Sequence, residues 1–176
     1  MTMQSINLRE LSLADETAFL QAMHRSRPLH DLWMKSPLTH DEFMEFFHRY
    51  QQPNQKSFLL INEANEIVGV FNLNEIVRGV FQNTFLGYSV VIDYAEKGYM
   101  SNGLKLILEK IFIDLELHRV EANIQPSNMR SINLVKKNGF RKEGFSPRYL
   151  KINNEWRDFE RWAMTYEDWI EVNQLS

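Results

Sequence analysis

Tyr88-Ser-Val-Val-Ile-Asp-Tyr-Ala-Glu-Lys-Gly-Tyr-Met-Ser-Asn-Gly-Leu-Lys-Leu-Ile-Leu-Glu-Lys-Ile-Phe112 is the stretch on which the fold turns. Its opening holds Val90, Val91 and Ile92, β-branched residues that suit a buried strand. From Leu104 the apolar residues Leu104, Ile107, Leu108, Ile111 and Leu115 fall on one helical face. Between them lies a short loop carrying Gly98. A chain passing from strand through such a loop into a helix leaves several N–H groups unpaired at the helix start. With the positive end of the helix dipole, those donors suit a phosphate. The same geometry also serves simply to close a βα unit, and a single glycine does not separate the two uses.

Upstream, Ile6 and Leu8 alternate with polar residues as in a short strand, and Ser12 with Asp15 and Glu16 opens a helix. Residues 25–37 hold two prolines and no clean period, which predicts a loop anchored by aromatics. Thr39 and Glu42 fit a capping box for a helix faced by Phe43, Phe46, Phe47 and Tyr50. Residues 57–62 and 66–73 predict a hairpin, and 84–92 the next strand. Downstream come a strand at 119–124, a helix opened by Asn128 and stopped by Gly139, and two long strands turning at Asn153-Asn154. A short helix at 165–172 ends the pattern. The order β-αα-βββ-α-β-α-ββ predicts an α/β (α+β) fold in one domain over residues 1–176. Its mixed, mostly antiparallel sheet of about seven strands carries helices on both faces.

With 176 residues the chain can bury a substantial core. Its net charge of −3 and lack of a Lys/Arg block argue against nucleic-acid binding. No cysteine is present, which excludes a thiol nucleophile and disulfides. Without a signal-peptide pattern or a membrane-spanning apolar run, the expectation is a cytoplasmic protein. The five histidines lack a ligand spacing, so no metal is expected.

The element order, together with Gly98-Tyr-Met-Ser101, His118-Arg-Val-Glu-Ala-Asn123, Asn128-Met-Arg-Ser131, Asn138-Gly-Phe140 and Tyr149-Leu-Lys-Ile-Asn-Asn-Glu-Trp-Arg-Asp158, resembles a GCN5-related N-acetyltransferase. More narrowly it resembles the ribosomal-protein-alanine branch, to which Asn74-Glu-Ile-Val-Arg-Gly79 and Leu86-Gly-Tyr-Ser89 also conform. The resemblance implies acetyl-CoA as co-substrate, with its pyrophosphate on the main chain of Glu96, Lys97, Gly98, Tyr99, Met100 and Ser101. It implies a splay between neighbouring strands after Ser89, where the pantetheine arm pairs with Val90 and Ile92 as an added strand. One departure stands out. The family loop carries Gln or Arg followed by glycine before its Lys-Gly pair, and this chain has Ala95-Glu96.

The resemblance also places Asn128 and Ser131 beside the pantetheine and sulfur, with Ser131 donating to the departing thiolate. On residue type alone Asn128 is an N-cap and Ser131 a surface serine. Family members often use a tyrosine as the acid, and residues 129–137 contain none, which favours Ser131. Glu75, at a strand end with Asp158 behind it, is the candidate general base; its plain reading is a solvated carboxylate. Trp33 and Arg78, with His30, sit in segments expected near the acceptor groove, and Tyr149 lines it or fills a strand. Lys136 and Lys137 read as a solvated helix face. The implied acceptor is a protein N-terminal α-amine. A small amine such as a polyamine or aminoglycoside, or a CoA-binding sensor that has lost catalysis, are the alternatives. A homodimer is compatible with the sequence.

Overall fold

The computed structural model describes residues 5–174. Seven strands form one sheet: β1 (Ile6–Glu10), β2 (Lys56–Asn62), β3 (Ile67–Val77), β4 (Asn83–Val90), β5 (Arg119–Ile124), β6 (Arg141–Ile152) and β7 (Glu155–Thr165). Five α-helices accompany them: α1 (Glu16–His30), α2 (His40–Tyr50), α3 (Tyr99–Glu109), α4 (Met129–Lys137) and α5 (Tyr166–Gln174). The strand order is β1-β2-β3-β4-β5-β7-β6, and every pairing is antiparallel except β4 with β5. The expected element order and mixed sheet are therefore observed.

Alternation along the strands divides the side chains between two cores. On one face Leu60, Phe71, Leu73, Leu86, Val120, Ala122 and Met164 pack against Leu104, Ile107 and Ile111 of the α3 segment and Ile132 and Val135 of α4. On the other face Leu59, Ile61 and Val70 meet Phe19 and Met23 of α1 and Phe43 of α2. The aromatic stripe of α2 is core, as its spacing indicates: the Phe19 and Phe43 rings lie 5.6 Å apart and Phe46 and Tyr50 4.7 Å apart.

Among the boundaries that differ from the sequence reading, two bear on the site. α1 continues to His30 with Pro28 inside it, where a loop is predicted from residue 25. Proline near a helix end removes only one intrahelical bond, and the hydrogen bonds that buried Ser26 and His30 make to Ile92 and Val90 offset that loss. β4 stops at Val90, and Ile92 lies in a 3-10 turn spanning Ile92–Tyr94. Ile92 is thus outside the extended segment in which it is expected to pair.

Candidate active site

β4 and β5 pair only through Asn83↔Arg119, Thr84↔Val120 and Phe85↔Glu121. Beyond that point they diverge, so a gap opens between Leu86–Val90 and Ala122–Ile124. The expected splay is present and begins four residues earlier than predicted. Val91 donates to the Val68 carbonyl at 2.8 Å. By the alternation of an antiparallel ladder, Gly87 and Ser89 also bond to β3, whereas Tyr88 and Val90 turn their main-chain groups toward the gap.

α1 meets this edge with two buried polar side chains. His30 lies 2.8 Å through Nε2 from the Val90 carbonyl and 3.2 Å through Nδ1 from Ser36 Oγ. Burial pushes its pKa down, against the opposing pull of the Val90 carbonyl and Asp31. The ring is therefore neutral: Nε2–H donates to Val90 and Nδ1 accepts from Ser36. Ser26 Oγ in turn accepts the Ile92 N–H at 3.0 Å. The Val90 carbonyl and the Ile92 N–H, both expected to hold a pantetheine arm, are thus already engaged by α1. Tyr88 and the Val90 N–H remain as the main-chain groups turned into the gap.

At one end of the gap, Gly98 caps α3 with φ 83°, a left-handed conformation that glycine adopts without strain. The N–H groups of Tyr99, Met100 and Ser101 form the first turn, which has no intrahelical partners for its donors. Gly69 of β3 lets this turn approach the sheet: a Cβ there would stand 2.6 Å from Met100 Sδ and 2.9 Å from the Ser89 carbonyl. Ser101 Oγ is joined to buried Asn138 at the end of α4, 3.2 Å away. Lys97 folds back onto the Asp93 carbonyl at 2.7 Å. Glu96 has φ 61°, and its carboxylate turns outward to Arg130 on α4, Oε1 to Nη2 2.8 Å, with both side chains about two-thirds exposed or more.

On the other wall, α4 starts at Asn128, whose Oδ1 accepts the Ser131 N–H at 3.2 Å. Ser131 Oγ lies 2.6 Å from the Tyr88 hydroxyl. Burial raises the Tyr88 pKa far above the ordinary phenol value, against the counter-effect of its bond to Ser131, so the group stays protonated and acts as a donor. Sequence reasoning passed over Tyr88, which is 43 residues from its partner. The available signal was strand alternation, which puts Tyr88 on the face that α4 covers.

The remaining candidates are spread out. Glu75, at φ 49° in the irregular end of β3, is held by Gln55 at 2.8 Å and Asn54 at 3.1 Å. It lies four residues beyond Phe71, the partner of Tyr88, or roughly 13 Å along the strand at ~3.3 Å per residue. The structure does not bring it to the hydroxyl pair. Trp33 sits past the end of α1 and its carbonyl accepts from Gln125 at 3.3 Å, just beyond the open end of β5. Tyr149 stacks near Phe159, ring centroids 6.2 Å apart, and the β6–β7 turn is tied to α1 by Asn153 and the Asp31 carbonyl at 3.2 Å. Trp33 and this hairpin thus flank one groove. Arg78 stands apart, donating to the Leu115 carbonyl at the opposite end of the sheet. Lys136 and Lys137 are exposed on α4, as the sequence indicates.

A splayed parallel pair, a helix start at its mouth and a hydroxyl pair on its wall agree with the match of residues 5–141 to the family described as acetyltransferase (GNAT) domain. The chain belongs to the GNAT acetyltransferase family. Among curated relatives, the [ribosomal protein uS5]-alanine N-acetyltransferase of Escherichia coli is 38% identical over 107 residues, which are 61% of this chain and 55% of that enzyme. The chain therefore aligns with about half of that relative's length. Spermidine N(1)-acetyltransferase of Vibrio cholerae is 22% identical over 158 residues, covering 89% of this chain and 90% of that one. Among solved structures, Mycobacterium smegmatis RimJ in complex with CoA-disulfide superposes with a TM-score of 0.85 at 22% identity, over 93% of this chain and 83% of that one. At that identity the superposition establishes the shared fold.

The residues of this GNAT domain fit a CoA-type ligand. The gap is open, Gly98 has nothing within 4 Å of where a side chain would project, and the first-turn donors of α3 have no intrahelical partner. The Val90 carbonyl and Ile92 N–H, engaged by α1, do not fit the role expected of them, and in the loop the discordant group is Glu96. Its left-handed backbone is what a glycine would adopt at the same place.

Proposed function

We propose that this acetyltransferase moves an acetyl group from acetyl-CoA to the α-amine of a protein N-terminus by direct attack in a ternary complex. The observation that carries the reading is the Tyr88–Ser131 hydroxyl pair on the wall of the gap. Acetyl-CoA supplies the activated acyl group. The main chain of Lys97 to Ser101 would hold its diphosphate, while the main chain of Tyr88 and Val90 and the side-chain Nδ2 of Asn128 would hold its pantetheine. Ser131 Oγ, itself hydrogen-bonded to a phenol that stays protonated, is placed to donate a hydrogen bond to the leaving sulfur, and the proton that the attacking amine gives up balances the one the thiolate takes. Positioning of amine and thioester contributes most, on the order of 7–11 kcal/mol, against about 10²–10⁴-fold for a placed acid or base. An α-amine, with a pKa near ~7.7–8.0, needs little help to lose its proton. That makes a weakly basic site sufficient, and Glu75 acts, if at all, through water.

The uS5-alanine relative supports a peptide acceptor, and kinship with the spermidine enzyme makes a polyamine the second reading. A cytoplasmic setting accords with an acceptor of this kind, and among the described residues no helix is long and apolar enough to cross a membrane. The test is thiol release from acetyl-CoA with an alanine-initiated peptide and with spermidine. Turnover with the peptide is expected, and Ser131→Ala and Tyr88→Phe should each lower kcat by about 10-fold or more with CoA affinity retained. CoA binding without turnover on any amine would leave a sensor instead.

A further inference from the structure

On the face covered by α1 and α2 over β2 to β4, strands β5, β7 and β6 carry a row of charged residues. Alternation puts Arg119, Glu121 and Asn123 of β5 on that face, and their register partners Ala163 and Arg161 of β7 beside them. Two carboxylates here are already neutralised. Glu121 accepts from Arg119 at 3.0 Å, and Glu143 is held by Arg119 and by Arg141 at 3.0 Å. Arg161 is left over. It is partly buried, its guanidinium has no ion pair or hydrogen bond among the described residues, and its Nε is sealed from solvent without an acceptor. Directly opposite, Asn123 has Oδ1 buried with no donor. The guanidinium rests over Gly144 of β6, where a Cβ would stand 2.5 Å from Nη2, so that glycine makes its seat.

A partly buried guanidinium without a counter-charge is unfavourable unless a partner arrives. Asn123 flanks the open gap and Arg161 lies one strand further out, so both are on the path of an acceptor whose amine enters the gap. We propose that Arg161 and Asn123 form an acceptor subsite that binds an acidic side chain at the second or third residue of the peptide. Arg161 takes the carboxylate through its guanidinium, and Asn123 Oδ1 accepts a peptide N–H. Two strand spacings, about 10 Å, separate β4, on the far side of the gap, from β7. An extended peptide covers that span in about three residues. A polyamine is disfavoured by the same charge. The inference rests on the peptide reading above and narrows its substrate class.

The experiment compares alanine-initiated peptides carrying Glu, Gln or Lys at positions two and three, together with spermine, on the wild-type protein and on Arg161→Gln. A charge-assisted contact of this kind corresponds to about tenfold to a hundredfold in kcat/KM for Glu over Gln peptides. In Arg161→Gln that preference should vanish through KM with kcat held, while calorimetric CoA affinity stays at the wild-type value and reports an intact fold. Asn123→Ala should raise KM for all peptides alike. Peptides acetylated without charge preference, or a preference that survives in Arg161→Gln, overturn the subsite alone. Spermine used in preference to every peptide, or no acetylation of any peptide, overturns the peptide reading and the subsite with it.

Discussion

Glu96 is where this chain departs most from what a diphosphate loop requires, and replacing it gives the sharpest test of the co-substrate site. A carboxylate about 6 Å from a phosphate charge repels it by roughly 0.7 kcal/mol at the dielectric of water, hence about 1.4 kcal/mol for two charges. That corresponds to about tenfold in affinity. Screening over a Debye length of about 8 Å at physiological ionic strength reduces the effect to about threefold. Removing the carboxylate also frees Arg130, now 2.8 Å from it, to face the phosphates. Glu96→Gln removes the charge and keeps the backbone. Glu96→Gly also relieves the left-handed conformation, worth roughly 1–2 kcal/mol for a non-glycine residue, less ~0.5–1 kcal/mol for glycine's greater freedom when unfolded. The exposed ion pair itself adds little to stability. Calorimetric titration with CoA should therefore show Glu96→Gln binding about tenfold tighter at low salt and about threefold tighter at physiological salt. Glu96→Gly should be at least as tight, with a melting temperature no lower than wild type. Arg130→Gln should weaken binding, because the carboxylate is then bare. Unchanged or weaker binding in Glu96→Gln at low salt would refute the reasoning, and the pair would then be a brace for the loop.

Two further outcomes follow from the packing around the gap. His30 must stay neutral to accept from Ser36 while donating to Val90, and burial holds its folded pKa below the unfolded value of ~6.5. Its contribution is complete above ~6.5 and is lost as pH falls below that, since the unfolded chain then binds the extra proton. Denaturant titrations of wild type should lose stability as pH falls below ~6.5, and His30→Gln should be flatter there. The carboxylates Asp15, Glu143 and Asp168, with lowered pKa values, act only at more acid pH, and His40, raised by Glu16, slopes the other way. Equal pH slopes for the two proteins would remove the assigned role. Gly69→Ala should destabilise by about 1–3 kcal/mol by forcing Met100 and the Ser89 carbonyl apart, and should weaken CoA binding because the first turn of α3 is displaced; wild-type affinity would show that the turn is positioned by other contacts.

Repeating chemistry was legible in the chain, and single encounters across the sheet were not. The α3 face, the Phe43–Tyr50 stripe and the Asn153-Asn154 turn, where both residues have positive φ, each follow from local periodicity or local backbone preference. The two boundary errors have one origin. α1 runs through Pro28 and β4 ends at Val90 because Ser26 and His30 bond to the end of β4, 60 or more residues away. No local pattern encodes that contact, and it withdraws two main-chain groups that the family resemblance assigns to the pantetheine. The same holds for Tyr88 with Ser131, Glu96 with Arg130, and the isolation of Arg161. Each depends on the sheet order β4-β5-β7-β6, which sets a gap beside one strand and a surplus cation beside the next. The gap between β4 and β5 is thus a consequence of topology, whereas the acceptor discrimination proposed above rests on side chains such as Arg161. On that proposal, a chain that kept the motif residues and exchanged Arg161 would keep the gap and lose the discrimination.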